Sequence, residues 1–518
     1  MHLVLALEKM VADPDIRRTI PPIITTSIDL DHQKAIQEIL SDKVESWEER
    51  GAGNAAAVVV DLSTNKVVAS VGSTGWHDTR FAGAIDYTRT RRYPGSTLKP
   101  FIYGLALDQE LIQPNTILDD LSRSRDGVGN ADDRFLGPLL VRQALANSRN
   151  VPAVELMEQV GLDEGYAWFR ELGLHEDQLP PSHYGMGLAI GGMPVRLIDL
   201  VEAYTVIAGD GTLRPLQWYD GQELPPSRQM LSEASARQIA LFLSDPMARL
   251  PSFPRMGYAE YDFPVATKTG TSPDFRDAWA VVFSEHYLIG VWVGHPDYRP
   301  MQGLSGYRGG AQLAQTILET LHHDEHGLGD GRFPSPPDHQ PMQICTLSGQ
   351  LATENCDRAV SEWFTPHNRP VHDCNRHVRV GDRTYVDLPG RYAAWAKKSG
   401  LERLSKTNDP FADPEVAILS PRDGELVMSD PEAPTGTSTL LLQAEVSADV
   451  EQLVWYVDGA PYEVVEHPFV ARWAISGGRH RIEARVPFRD ISSSPVLVIA
   501  EDNNADPAPM HHRPRTRM

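Results

Sequence analysis

Tyr93-Pro94-Gly95-Ser96-Thr97-Leu98-Lys99-Pro100-Phe101 is the stretch from which both the fold and the chemistry of this chain can be worked out. Pro94 and Gly95 form a turn, and Ser96 then stands where a helix begins, a position that favours serine. Pro100 falls in the first helical turn, where the missing N–H costs little. Three residues on, Lys99 shares the helical face of Ser96, within reach of its hydroxyl. A serine hydroxyl is a poor nucleophile until a neighbour takes its proton. A lysine can take it only if burial or a nearby positive charge lowers its pKa, and Lys268 is the candidate for that charge.

The Ser-x-x-Lys spacing is not sufficient alone, because Ser63-Thr64-Asn65-Lys66 repeats it. That copy lies in the polar turn of AAAVVVDLSTNKVVASVG (55–72), a hairpin pattern, so nothing holds Ser63 at a helix start. Ser96 on its own is better read as an ordinary helix cap. Two further elements separate them. Ser148-Arg149-Asn150, within ALANSRNVPAV, lies between two helical patterns, in a loop that can present a hydroxyl and an amide to a cleft. Lys268-Thr269-Gly270-Thr271-Ser272 ends a β-branched strand, and Gly270 is expected to let a substrate approach the strand edge as an added strand. The first reads otherwise as a helix cap and the second as a strand-to-turn transition; together and in this order they make Ser96 the candidate nucleophile.

Outward from these motifs, apolar residues recur at helical spacing over Phe101–Asp108, Val141–Ala146, Val151–Val160 and Leu231–Leu243. Strands return at Val265–Thr269 and in AWAVVFSEHYLIGVWV (278–293), which folds about Ser284-Glu285-His286. Strand, many helices, then strands of the same sheet describe an α+β domain, expected over 20–326. Residues 327–412 read as a linker with a cysteine-containing segment, with breaks at Gly327–Pro341 and Pro410–Pro414. Short alternating strands (TLLLQAEV, QLVWYVDG, HRIEARV, VLVIAE) predict a small antiparallel sandwich over 413–502, with Trp455 and Trp473 in its core. Residues 503–518 read as a solvated tail.

Acidic side chains outnumber basic ones, giving a formal net charge of −22, which opposes binding to nucleic acid and anionic lipid. The start, MHLVLALEKM, lacks the basic and long apolar regions of a signal peptide, and no later run approaches the roughly 20 apolar residues that cross a bilayer.

The sequence resembles the transpeptidase domain of bifunctional penicillin-binding proteins of the 1C type. The likeness runs through TTSIDLDHQ, RRYPGSTLKPFIYGLALD, LVRQALANSRNVPAVELMEQVG, GMGLAIGG and KTGTSPDFRDAWAVVF. It implies a serine-transpeptidase fold, a central antiparallel sheet flanked by helices, followed by an immunoglobulin-like all-β sandwich. It also implies DD-transpeptidase activity on D-alanyl-D-alanine stem peptides of peptidoglycan, covalent binding of penicillin, and no cofactor. Ser96 would be the acylated nucleophile, Lys99 its base, Ser148 a proton relay and Asn150 a positioning group. The backbone amides of Ser96 and Thr271 would form the oxyanion hole, and Lys268, Thr269, Gly270 and Thr271 the substrate-binding strand. The alternatives are a DD-carboxypeptidase, a non-catalytic recognition scaffold or sensor, and a β-lactamase, for which no deacylating glutamate loop is found.

The resemblance places the protein at the periplasmic face of the inner membrane, with stem peptides and β-lactams as ligands and other cell-wall synthesis proteins as partners of the C-terminal domain. Its membrane helix and glycosyltransferase domain have no counterpart in this sequence. Met1 to about Arg18 is therefore expected to be a remnant linker (1–19), and polymerising activity to be absent. The family often has Leu where Arg149 stands, a departure expected to alter substrate fit. Cys345, Cys356, Cys374 and His377 can supply four tetrahedral zinc ligands, but only the last pair is tightly spaced. An oxidising compartment favours one disulfide and one leftover thiol, and that pairing is the expectation.

Overall fold

The computed structural model describes residues 1–12, 23–122, 128–176, 178–325, 332–380, 383–401, 416–428, 439–446, 450, 452–487 and 491–501. Contacts divide the chain into Met1–Cys374 and Asn375–Met518. The break expected at Pro410–Pro414 and the tail after residue 503 lie outside the described residues.

The first unit is built on a five-stranded sheet. Its hairpin is β1 (Asn54–Asp61) and β2 (Lys66–Val71), turning through Leu62–Asn65 where the polar residues are. Two short pairs follow, β3 (Ile117–Asp120) with β4 (Gly137–Leu140) and β5 (Thr212–Leu213) with β6 (Arg228–Gln229). Then β7 (Ala266–Thr271), β8 (Asp277–Phe283) and β9 (Tyr287–Gly294) complete the main sheet in the order β2-β1-β9-β8-β7, antiparallel throughout. Every residue of β8 and β9 is buried, which requires cover on both faces. Successive residues of β1 supply the two faces. Ala56, Val58 and Val60 join a core with helices Lys99–Asp108, Asn150–Val160, Leu197–Ala208 and Glu233–Ser244. Ala55, Ala57 and Val59 join a second core with helices Leu30–Ser46 and Gln312–Glu325.

Helix starts follow local chemistry. Asp29 caps Leu30–Ser46, accepting from the backbone N–H groups of Asp31 and His32. Ser232 accepts from the Ser235 N–H, so the helix expected from Leu231 begins at Glu233. At the N-terminus, the stretch expected to be a remnant linker carries a helix, His2–Val11, with Ala6 and Leu7 buried.

The stretch expected to be a linker is structured in part. The strands β10 (Gln340–Cys345) and β11 (Ala359–Phe364) pair antiparallel in the first unit. Their apolar core is small: Ile344 and Phe364 pack with Leu140. A buried ion pair also links them to the domain: Arg142 donates from Nε and Nη2 to Glu362 at 2.7 and 2.8 Å. Removing Glu362 leaves the buried Arg142 charge with a single carboxylate, Asp245 at 3.4 Å. Glu362→Ala is expected to cost about 3–5 kcal/mol, while the double replacement Arg142→Leu/Glu362→Leu costs far less. Urea denaturation of both variants measures the difference.

The second unit begins with the pair β12 (His377–Val380) and β13 (Arg383–Val386). Beyond them, β14 (Val416–Ser420), β16 (Thr439–Val446) and β19 (Val470–Ala474) form one sheet. The other is ordered β15-β21-β20-β17-β18, from Glu425–Met428, Val496–Glu501, Gly478–Arg485, Gln452–Val457 and Ala460–Glu466. Leu442 and Trp473 from the first sheet share a core with Leu453, Trp455, Ile482 and Val498 from the second, so both tryptophans are core residues. The expectation of an all-antiparallel sandwich needs one correction, because β15 and β21 run parallel. No described helix is long and apolar enough to cross a membrane.

Candidate active site

Ser96 lies in a 3₁₀ turn, Gly95–Leu98, that leads directly into helix Lys99–Asp108. The expected helix start is therefore one turn longer than an ordinary cap, and the Ser96 side chain is not the capping group. In 3₁₀ geometry residues i and i+3 eclipse, and the Lys99 N–H donates to the Ser96 carbonyl. The side chains of Ser96 and Lys99 consequently leave the backbone on one side. Ser96 is half-buried, whereas Lys99 is fully buried.

Gly95 makes this placement possible. Its φ is +54°, and a Cβ there would sit 2.4 Å from the carbonyl oxygen and 2.7 Å from the nitrogen of Thr271. The turn that carries Ser96 thus lies directly against the end of β7, bringing the backbone amides of Ser96 and Thr271 into one neighbourhood. Gly270 has the same cause: a Cβ would approach the Pro94 carbonyl oxygen to 2.0 Å. This corrects the expectation for Gly270. The missing side chain makes room for the Pro94-Gly95 turn rather than for an incoming strand. The strand β7 is nonetheless an edge of the sheet.

The loop between helices Val141–Ala146 and Asn150–Val160 supplies the remaining groups. Ser148 takes a left-handed backbone conformation, φ +58°, uncommon for a residue with a Cβ. Both lysines converge on it. Lys99 Nζ donates to the Ser148 carbonyl at 2.6 Å and to Asn150 Oδ1 at 2.7 Å. Lys268 Nζ donates to Ser148 Oγ at 2.8 Å and to the Thr269 carbonyl at 2.8 Å. A neutral lysine amine has two N–H groups and one lone pair. With two acceptors already in place, the lone pair of neutral Lys99 is the valence left for a further proton.

Electrostatics favour that neutral form. Burial, followed by the positive charges of Lys268 and Arg149, holds Lys99 well below the usual lysine value, opposed by Asp120. Burial also lowers Lys268, to about 7. Lys268 is therefore poised between charged and neutral forms near neutrality.

Arg149 does not face the cleft. It is buried, and its Nε donates to Asp120 Oδ2 at 2.8 Å, while its other nitrogens reach Asp132 at 3.1 Å. The expectation that it alters substrate fit is corrected accordingly: it contributes through its charge on Lys99 and through the positioning of its neighbours. Asp120 Oδ1 accepts from Asn130 Nδ2 at 2.7 Å, and Asn130 Oδ1 accepts from the Asn150 N–H at 2.8 Å. Asn150 Nδ2 donates to the Gly129 carbonyl at 2.8 Å, which leaves Oδ1 turned to Lys99. Asp120 and Asn130 were not among the expected site residues.

A second unexpected element abuts Thr271. The Gly306 N–H donates to Thr271 Oγ1 at 2.8 Å and opens a π-helical turn, Gly306–Ala311. Such turns recur at functional sites, and the glycines of GYRGGA were its trace in the sequence. Just past Thr271, Ser272 Oγ donates to buried Asp277 at 2.9 Å and closes the turn that follows β7. Among the expected residues, Ser96, Lys99, Ser148, Asn150, Lys268, Thr269, Gly270 and Thr271 are thus brought into one site by three elements. The decoy Ser63 stays in its hairpin turn, hydrogen-bonded to Asp61. Cys345, Cys356 and Cys374 form no disulfide, so the expected pairing is not made. His377 is buried at the start of β12.

Comparison with known proteins agrees with this construction. Residues 55–294 match the family described as penicillin binding protein transpeptidase domain. Residues 336–379 match the C-terminal domain of penicillin-binding protein 1A, and 406–485 the penicillin-binding protein C-terminus family. Penicillin-binding protein 1C of Escherichia coli K12 is 33% identical over 356 residues, covering 67% of this chain and 44% of that protein. Penicillin-binding protein 1A of Aquifex aeolicus is 30% identical over 322 residues, covering 58% and 42%.

Among solved structures, penicillin-binding protein 1A of Haemophilus influenzae superposes with a TM-score of 0.52 at 20% identity, covering 62% of this chain and 54% of that one. PonA1 of Mycobacterium tuberculosis does so with a TM-score of 0.52 at 21% identity, covering 67% and 94%. These structural likenesses establish the fold. The chain spans less than half the length of both curated relatives. On the motif geometry and these matches, residues 55–294 are a penicillin-binding protein transpeptidase domain, followed by segments that match C-terminal families of the same proteins.

Proposed function

We propose that this chain is a peptidoglycan DD-transpeptidase module working through an acyl-enzyme on Ser96. The observation that carries the proposal is the hydrogen-bonded line from Asn150 through buried Lys99 and Ser148 to Lys268, beside the turn that holds Ser96. Lys99, with its two N–H groups engaged, accepts the Ser96 proton as the oxygen attacks the carbonyl of the penultimate D-alanine. Negative charge developing on that carbonyl oxygen is met by the backbone amides of Ser96 and Thr271. The peptide C–N bond then breaks, Ser148 relays to the departing D-alanine amine the proton that Lys99 took up, and an ester remains on Ser96. An acceptor amine attacks the ester, forms the new amide and frees the serine.

Lys268, Thr269 and Thr271 receive the terminal carboxylate by charge and hydroxyl contacts, and the edge of β7 pairs with the peptide backbone. A β-lactam has the same carboxylate and a strained amide, so it acylates Ser96 in place of the peptide. In this reading the module works at the periplasmic face of the inner membrane, with stem peptides as substrates and other cell-wall synthesis proteins as partners of the C-terminal sandwich.

The test is release of D-alanine from a peptide ending in D-alanyl-D-alanine, with a D-amino acid present as acceptor. Exchange of the terminal residue is expected. Release without exchange contradicts transfer, and no release by a folded chain contradicts the reading altogether.

A further inference from the structure

We infer that Cys345, Cys356, Cys374 and His377 form a structural zinc site that staples the segment following the transpeptidase domain. The Sγ atoms of Cys345, Cys356 and Cys374 lie within 4.8 Å of one another. Thiolates around a tetrahedral zinc at about 2.3 Å are separated by roughly 3.8 Å, so a shift of about half an ångström per ligand closes the set. Three converging sulfurs are one more than a disulfide needs, and none of them is joined to another.

The backbone has been folded to bring them together. Cys345 ends β10, and its N–H donates to the Gln350 carbonyl at 2.8 Å while its carbonyl accepts from Gly349 at 3.0 Å, closing a tight turn. Leu351, just past that turn, accepts from the Cys374 N–H at 2.8 Å and donates to the His372 carbonyl at 3.0 Å, which lays Cys374 alongside. Cys356 is held from its own side. The Thr353 N–H donates to Cys356 Sγ at 3.3 Å, and the Cys356 N–H returns to the Thr353 carbonyl at 3.0 Å. A backbone N–H directed at sulfur is the outer contact that steadies a metal-bound thiolate.

The fourth ligand is His377. It follows Cys374 by three residues, and three residues span at most roughly 10 Å, so the imidazole stays close to the third thiolate. Being a side chain otherwise suited to water, it is nevertheless buried, as Cys345 and Cys374 are. Three sulfurs and one ring nitrogen select zinc over the oxygen-seeking cations, and four protein ligands leave no open position for catalysis.

The local energetics give the site its purpose. A two-stranded sheet is marginal by itself, and β10–β11 contributes two fully buried apolar side chains, Ile344 and Phe364, to a small cluster with Leu140, flanked by half-buried Met342 and Val360. Small lobes with so little core are ordinarily held by a metal or by disulfides. Binding takes Zn²⁺ from solution, releases the three thiol protons and uses the neutral imidazole, with no redox change.

The test uses the full chain, purified under reducing conditions in the presence of zinc and then freed of loosely held metal. Elemental analysis is expected to find about one zinc per chain. The three thiols should resist alkylation until a strong chelator is added. Cys356→Ser should fall to near zero zinc, and His377→Ala should surrender its zinc at a lower chelator concentration. Covalent labelling by penicillin reports folding of the transpeptidase domain in each variant. Near-zero zinc in the wild-type chain with labelling intact overturns the inference, as does a disulfide between any two of the three cysteines. Should the serine variant lose labelling as well, the chelator-dependent alkylation of wild type decides: protection supports the site, and immediate alkylation refutes it.

Discussion

Ser96→Ala is expected to fold as the wild type does and to lose both covalent penicillin labelling and D-alanine release by at least about a thousandfold. The substitution removes one oxygen from a half-buried side chain. It leaves untouched the features that set the turn: the Thr97 hydroxyl bonded to the Pro94 carbonyl at 3.1 Å, buried Leu98, and the Thr97 carbonyl held by Tyr204 Oη at 2.7 Å. Gly95 still seats against Thr271. What disappears is the atom that forms the ester. Thermal denaturation checks that the fold is kept, and fluorescent penicillin on a denaturing gel checks the label. Equal labelling of variant and wild type would mean that another side chain is acylated. Ser63 provides the internal comparison, since Ser63→Ala alters only an exposed turn hydrogen-bonded to Asp61 and should leave labelling unchanged.

Lys99→Arg is expected to lower the acylation rate by about 10²- to 10⁴-fold, because it puts a permanent positive charge where the neutral amine stood. A guanidinium does not lose its proton in a protein, so it has no lone pair to accept the Ser96 proton. The pH dependence separates this cause from a steric one. Lys99 is held well below the ordinary lysine value, chiefly by burial and then by Lys268 and Arg149. In the wild type, the fraction of neutral Lys99 grows as pH rises through that depressed pKa, giving an ascending limb. Lys268, lowered by burial to about 7, loses its charge as pH rises further. Its grip on the substrate carboxylate weakens, and kcat/KM descends on the alkaline side. Lys99→Arg should lose the ascending limb. Lys268→Arg, which keeps its charge, should move the descending limb to higher pH. A Lys99→Arg profile parallel to wild type would show that Lys99 is not the base.

Much of the site was legible because its chemistry is written locally. Ser96 and Lys99 are three residues apart, and the distinction from Ser63 and Lys66 came from whether a turn or a strand follows. The hairpins were legible for the same reason: Leu62–Asn65 and Ser284–His286 interrupt strongly apolar runs with polar residues. Contacts between distant segments were not legible. Gly270 carries no mark of its closeness to Pro94, and its assignment to substrate approach failed on that long-range packing. Arg149 reads from the sequence as a departure that alters substrate fit because its partners, Asp120 and Asp132, lie in an earlier part of the chain. The strand β15 joins β21 in parallel, a pairing that alternation within either strand cannot reveal. The cysteine-containing segment misled for a different reason. Its spacing is irregular, and only folding back at Gly349 and Leu351 brings Cys345 and Cys374 together.

The proposed mechanism depends on acylation of Ser96. The most direct measurement is mass spectrometry of the intact chain after exposure to benzylpenicillin, followed by proteolysis and mapping of the adduct. A single penicilloyl group, added without loss of atoms from the drug, is expected on the peptide that carries Ser96. A folded chain that gains no mass, or that gains it on any other peptide, would contradict the mechanism.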